Sequence, residues 1–283
     1  MTSQLKTFFL LALLTGLILF LGQLMGGRTG LVIAFGFALV MNFVSYWYSD
    51  KIVLSMYRAR PLAPEDAPAL HAMLAEMSAR AGIPTPRLYL VPQEAPNAFA
   101  TGRNPQNAVV AVTEGLLRLL PPEEIKGVIG HELGHIAHRD ILIQSVAAVL
   151  ASAVMMLANM MQWAAIFGMG RSSDEEGGGN PLAALAVAII APLAATLIQM
   201  GISRSREYLA DAAGAEYSGS PLSLAQALAR LHNTSLEVPM RANPATENMF
   251  IVSPLSGRRV GNWFSTHPPV EERIARLRQM AGR

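Results

Sequence analysis

The sequence predicts a mainly α-helical α+β protein with four membrane-spanning helices and a small β-sheet. Its 283 residues are 52% hydrophobic and only 15% charged, whereas soluble domains carry about 25% charged residues. The apolar residues concentrate in four long segments that are almost free of charge. Short β-branched stretches lie between the second and third of these segments, and they indicate strands.

The four apolar segments cover residues 5–25, 31–48, 141–169 and 181–202. Each is long enough for a hydrocarbon core of about 30 Å, which needs about 20 apolar residues. The glycine-rich residues 26–30 predict a tight turn between the first two spans. The third and fourth segments contain amide side chains, so buried helices of a soluble protein are the alternative for them.

Residues 131–135 have the sequence His-Glu-Leu-Gly-His. On a helix, His131 and His135 leave the same face and can bind one zinc ion together. Glu132 would lie beside the ion, where it can take a proton from a water molecule on the metal. The preceding residues 121–124, Pro-Pro-Glu-Glu, are typical of a helix N-terminus. The motif therefore predicts a hydrolytic metal site on a helix.

A catalytic zinc ion usually takes three protein ligands, and the chain has no cysteine. Residues 206–211 directly follow the fourth apolar segment, and the helix with the His-Glu-Leu-Gly-His motif directly precedes the third. Antiparallel packing of the third and fourth segments would therefore bring residues 206–211 close to this motif. Glu207 and Asp211 project from one helix face, where one can bind the metal and the other can accept an N–H from a ligating imidazole. The alternative is a solvated charged face that pairs with Arg204 and Arg206.

These motifs together resemble the HtpX family of membrane zinc metalloproteases, relatives of the proteases that process prenylated proteins. The stretches Asn-Ala-Phe-Ala-Thr-Gly at residues 97–102 and Ser-Thr-His-Pro-Pro at residues 265–269 match the family too. The resemblance covers essentially the whole chain. It implies endoproteolysis of damaged or misassembled membrane proteins on the cytoplasmic side of the membrane.

The same resemblance implies a gluzincin catalytic domain with one zinc ion per chain. The ligands would be His131, His135 and Glu207. Glu132 would be the general base, and the carboxylate of Asp211 would hydrogen-bond a ligand.

Three further residues are candidates for handling the substrate. His267 matches a family histidine at the site, and we expect it to stabilise the oxyanion that develops during hydrolysis. Its alternative is an ordinary histidine in a helix-capping loop, and Arg204 is a second candidate for the oxyanion. Asn97 belongs to a stretch that resembles the family's edge strand, where substrate adds as a further strand; a plain turn residue is the alternative. The apolar residues 249–251 are candidates for contact with the membrane or the substrate cleft.

The basic residues predict the orientation of the chain in the membrane. Of the 22 lysines and arginines, only Arg28 and Arg171 lie in the loops of the non-cytoplasmic side. A multi-pass protein of the bacterial inner membrane follows, with the active site and both termini in the cytoplasm. The net charge of +2 gives no nucleic-acid footprint, so the expected partners are the lipid bilayer and protein substrates.

The resulting organisation has four parts. They are two N-terminal transmembrane helices in residues 1–50, a cytoplasmic catalytic region in residues 51–140, two further transmembrane helices joined by an external loop (170–180) in residues 141–202, and a cytoplasmic region carrying the third ligand in residues 203–283.

Two other classes of protein compete with the protease interpretation. A catalytically silent scaffold or chaperone-like protein would retain a structural zinc, but such sites have four protein ligands and the sequence offers three good ones. A transporter is disfavoured because the spans carry almost no charge and show no inverted repeat.

Overall fold

The computed structural model describes residues 3–166, 204–238, 240, 242–254 and 267–282. Within them the chain is mainly helical with one small sheet. The helices are α1 (Ser3–Met56), α2 (Pro68–Arg80), α3 (Glu114–Leu119), α4 (Pro122–Ala137), α5 (Ile141–Ile166), α6 (Arg204–Ser218), α7 (Pro221–Glu237) and α8 (Val270–Ala281). The strands are β1 (Arg60–Pro61), β2 (Arg87–Val91), β3 (Ala98–Thr101) and β4 (Val109–Thr113), and two 3-10 helices cover Pro105–Asn107 and Pro244–Met249.

Helix α1 reverses direction at Gly27, within the predicted turn. Gly27 has a φ of +54°, a conformation that costs glycine little because it lacks a Cβ. A Cβ built on Gly30 would lie 2.1 Å from the carbonyl oxygen of Gly22, so the two halves touch backbone to backbone. Further along, the Asn42 side-chain amide donates to the Thr15 hydroxyl at 2.8 Å. The element is therefore an antiparallel helical hairpin.

Among the described residues, one segment is long and apolar enough to cross a membrane, the 30-residue Gly27–Met56. The predicted fourth span and the loop at residues 170–180 lie outside the described residues. The third predicted span begins as α5, but residues 141–151 are buried by protein, mainly by α1 and the 3-10 helix Pro244–Met249. The arrangement of four spans thus stays a prediction.

The sheet has the strand order β1-β2-β4-β3. Strand β4 pairs parallel with β2 and antiparallel with β3, while β1 adds antiparallel to β2. All of β4 is buried, which fits its continuous run of Val and Ala. The sequence predicts extended segments at residues 87–91, 97–102 and 107–113, and these form strands β2, β3 and β4. It does not predict the two-residue β1. Strand β3 is the edge strand next to helix α4.

The described residues between α6 and α8 contain more regular structure than the sequence predicts. The sequence predicts a helical stretch at residues 222–231, and helix α7 continues beyond it to Glu237. The sequence predicts a long loop at residues 239–262, and its described part contains the 3-10 helix Pro244–Met249 and an antiparallel bridge between Phe250 and Phe99. The 3-10 helix packs against β3 and α5, and no local sequence pattern indicates these tertiary contacts.

Candidate metal centre

Helices α4 and α6 bring three potential metal ligands together. The Nε2 atoms of His131 and His135 are 3.1 Å apart. The Glu207 carboxylate lies 3.4 Å from Nε2 of His135 and 3.8 Å from Nε2 of His131. Tetrahedral zinc, with bonds of about 2.0–2.1 Å, separates its ligand atoms by about 3.4 Å. The three side chains are therefore spaced as ligands of one ion.

Glycine makes this approach of the two helices possible. A Cβ on Gly214 of α6 would lie 2.8 Å from the backbone nitrogen of His131, and one on Gly134 of α4 would lie 3.1 Å from Cα of Ala210. The helices thus touch backbone to backbone beside the motif. The glycine inside the H-E-L-G-H sequence serves this contact.

The charges at the site also suit a cation. Burial lowers the pKa of His131 to about 4, so its imidazole is neutral, as a metal ligand must be. Burial alone would lower the pKa of His135 too, but the nearby carboxylates of Asp140 and Glu207 raise it to about 10. Burial opposes ionisation of Glu207, yet His267 and His135 hold its pKa well below the usual range. The neighbouring carboxylates thus hold a proton on His135, and a metal cation that binds between Glu207 and the two imidazoles would displace that proton.

Carboxylates behind the two imidazoles orient them. Nδ1 of His131 lies 2.9 Å from Oδ1 of Asp211, so its N–H donates to Asp211 and its Nε2 lone pair faces the site. Asp140 occupies the matching position 3.6 Å from Nδ1 of His135, and it is ion-paired with Arg206. Glu207 and Asp211 are both buried, so the solvated charged face considered as an alternative is wrong.

The fully buried Arg273 of α8 was missed by the sequence reasoning. Its guanidinium donates to both oxygens of Asp211, at 2.8 and 2.7 Å, and to the carbonyl of Ile251 at 2.8 Å. It also lies 3.5 Å from Glu207. Arg273 therefore connects α8 to two carboxylates of the candidate site: Asp211, which contacts a ligand, and Glu207, which is a potential ligand.

A signal for Arg273 was present in the sequence. The arginine lies in the apolar stripe of α8, at helical spacing with Val270, Ile274 and Leu277. A charge on the buried face of a helix must have a buried partner, because an unpaired charge is too costly to desolvate.

Glu132 is buried beside the ligands, and neither carboxylate oxygen has a hydrogen-bond partner among the described residues. Burial raises its pKa to about 7. The backbone of Ala100 in β3 faces the carboxylate. A buried carboxyl group without a partner is expensive, so this position fits a group that binds water or substrate between α4 and the edge strand.

The other predicted site residues lie at different places. His267 is buried, with Nδ1 3.2 Å from Glu207 and Nε2 3.2 Å from the carbonyl of Glu247. Its imidazole is thus at the centre rather than only in a capping loop. Arg204 is exposed at the first residue of α6.

Asn97 is buried just before β3. Its Oδ1 accepts a hydrogen bond from the backbone of Ala98 at 3.0 Å, and its Nδ2 donates to the carbonyl of Val252 at 2.9 Å. The side chain therefore binds backbone groups of its own chain, and its contact with substrate stays a prediction.

Comparisons with known proteins identify the family of this chain. A model of peptidase family M48 matches residues 64–281. Protease HtpX homologs of Syntrophobacter fumaroxidans and Persephonella marina are 59% and 55% identical to the chain, covering 99% and 98% of it and 100% and 97% of their own lengths. The crystal structure of S. mikatae Ste24p has a similar fold (TM-score 0.53, 17% identity), matching 97% of this chain and 65% of that protein. The chain therefore belongs to peptidase family M48, and over nearly its whole length it is similar to the HtpX proteases.

Proposed function

We propose that this protein is a zinc-dependent membrane endopeptidase that cleaves damaged or misfolded membrane proteins at the cytoplasmic face of a bacterial inner membrane. One observation carries the proposal: three buried ligand atoms lie within 4.8 Å of one another, beside a buried carboxylate without a partner among the described residues. Among the described residues the group has three protein ligands rather than four, which favours an open catalytic site over a closed structural one.

His131, His135 and Glu207 would hold the zinc ion. When bound, zinc supplies Lewis-acid polarisation of the scissile carbonyl and makes water a stronger acid. Asp211 and Asp140 keep the two imidazoles in orientation through Nδ1.

Glu132 would act as the general base. It accepts a proton from the attacking water and then gives it to the leaving amine. Glu132 lies on α4 and its carboxylate faces the backbone of Ala100 in β3. This position supports the role of base, because a peptide added to β3 would lie next to the carboxylate. His267, beside Glu207, would stabilise the negative charge on the carbonyl oxygen of the substrate.

The membrane setting rests on the apolar segments. The 30-residue stretch Gly27–Met56 supports anchoring, and the three residues between α4 and α5 keep the site close to the start of the third apolar segment. Such a site suits substrates that are themselves in the membrane, and the distribution of basic residues supports the cytoplasmic face.

The test compares wild-type protein with Glu132→Gln in detergent, using casein and an unfolded membrane protein with and without a chelator. The isosteric Gln removes the base and leaves the three ligands in place. We expect wild-type hydrolysis to need zinc, and the variant to bind zinc but lose at least about a hundredfold in turnover. A fully active, zinc-loaded Glu132→Gln would refute the role of the base. A wild-type protein that binds zinc without hydrolysing either substrate would support the scaffold instead.

A further inference from the structure

The segment Met249–Val252 runs along the free edge of the sheet. Phe250 forms an antiparallel bridge with Phe99, and the backbone N–H of Ile251 donates to the carbonyl of Ala98 at 3.2 Å. Strand β3 is the last strand of the sheet order, so Phe250 and Ile251 occupy the edge where a fifth strand would pair.

The same edge of β3 borders the candidate base. The backbone of Ala100, two residues after Ala98, faces the carboxylate of Glu132. Under the proposed function, a substrate adds to β3 as a strand so that its scissile bond reaches Glu132. The carbonyl of Ala98 is now bonded to Ile251, so a substrate strand and this segment compete for the same edge.

Side chains fix the segment in place. The ring of Phe250 packs edge-on against both Tyr57 and Phe99, with centroid distances of 5.2 and 5.4 Å, and it is 1% exposed. The Tyr57 hydroxyl is hydrogen-bonded to Thr246 and accepts from the backbone of Asn243. A large apolar side chain thus fills a closed pocket next to the edge strand.

Asn97 and His267, which we expect to contact the substrate, also bind the segment that lies along β3. The amide of Asn97 donates to the carbonyl of Val252, and Nε2 of His267 lies 3.2 Å from the carbonyl of Glu247. Arg273 donates to the carbonyl of Ile251. The segment engages an edge strand, an amide and a histidine, which are the groups expected to bind a substrate backbone.

We propose that Pro244–Val252, here called the strap, occupies the substrate position of the enzyme and acts as its internal competitor. Substrate enters by displacing the strap from β3. The substrates that compete best are extended segments with a large apolar side chain for the pocket of Phe250. The inference rests on the proposed proteolytic function, and it explains how the access of substrate to the candidate metal centre is controlled.

A reversible cross-link tests the strap. Facing residues of an antiparallel pair have Cα atoms about 4.5–5.5 Å apart, within the range of a disulfide, about 4.4–6.8 Å. The chain has no other cysteine, so Phe99→Cys combined with Phe250→Cys creates a single possible pair. We expect the oxidised protein to hydrolyse a soluble apolar peptide at least tenfold more slowly than the same protein after reduction with a phosphine. Equal rates in the two states would overturn the proposal.

The controls separate this inference from the proposed function. Each single cysteine variant should be indifferent to oxidation, and Glu132→Gln should abolish the activity of the reduced pair. If wild type shows zinc-dependent hydrolysis but the double cysteine protein has equal rates when oxidised and reduced, the strap proposal is wrong and the proposed function stands. If wild type shows no hydrolysis, both the strap proposal and the proposed function are wrong.

A milder variant covers the case in which the double cysteine protein does not fold. Tyr57→Phe keeps the ring contacts and removes the hydroxyl that binds Thr246, so the strap should leave β3 more readily. We expect KM for the soluble peptide to fall about threefold or more, while Tyr217→Phe, away from the strap, leaves KM unchanged. A structural role of Tyr57 alone would leave KM unchanged or raise it, and that result would overturn the proposal.

Discussion

The guanidinium of Arg273 binds both carboxylate oxygens of Asp211, at distances of 2.8 and 2.7 Å, and Asp211 in turn lies 2.9 Å from Nδ1 of His131. This chain of contacts begins on the last helix and ends at a candidate metal ligand. The orientation of the imidazole therefore depends on a residue far from it in sequence.

Replacing this arginine should weaken the site without touching a ligand. Arg273→Ala removes the cationic partner of the buried Asp211 carboxylate, at a cost of about 3–5 kcal/mol in the free energy of unfolding. Arg273→Lys keeps a charge but loses the planar two-pronged contact, so we expect weaker zinc binding with a smaller loss of stability. Zinc competition titrations and thermal unfolding of the zinc-free protein measure the two effects. Arg276→Lys, in an exposed pair with Glu272 on the same helix, should change neither.

Glu207 should decide how much zinc the protein holds. Glu207→Ala removes the carboxylate near both ring nitrogens, and we expect purified protein to contain well under one zinc ion per chain. Elemental analysis after dialysis checks the stoichiometry. The matched control is Glu216→Ala on an exposed position of the same helix. Full occupancy in Glu207→Ala would mean that another residue is the third ligand.

Gly214 should be intolerant of even one added carbon. In Gly214→Ala the new Cβ would lie 2.8 Å from the backbone of His131, so α4 and α6 must separate, at a typical overpacking cost of about 1–3 kcal/mol. Thermal unfolding and zinc affinity should both decrease. Gly16→Ala is the control, because a Cβ there meets nothing within 4 Å. A Gly214→Ala protein with wild-type affinity would show that the close contact is unimportant for the site.

Removal of the metal should destabilise the fold as well as stop hydrolysis. A ligand present at about a thousand times its Kd contributes about 4 kcal/mol to stability, so a chelator should lower the Tm of wild-type protein. The Tm of Glu207→Ala should respond much less, since little zinc is bound. Scanning calorimetry in detergent compares the two proteins. A chelator effect of the same size in both would point to zinc bound elsewhere.

The sequence was informative about Asn97 and His267 only through their surrounding stretches. We expect each of them to contact substrate, and in the structure each contacts a backbone carbonyl of the strap: Asn97 that of Val252 and His267 that of Glu247. The apolar residues 249–251 were assigned to the membrane or the cleft, and they are buried against β3. Their pairing partner, Phe99, is too distant in sequence for any local pattern to indicate it.

The sequence by itself determined the local chemistry: two histidines one helical turn apart on α4, and the acidic pair Glu207 and Asp211 one turn apart on α6. Helical spacing alone places each pair on one face. The tertiary structure alone decided that these faces meet, that Arg273 joins them from α8, and that the strap covers the edge strand. Such contacts join residues as much as 155 positions apart, and they depend on packing and on the desolvation of buried charges, which short-range periodicity does not encode.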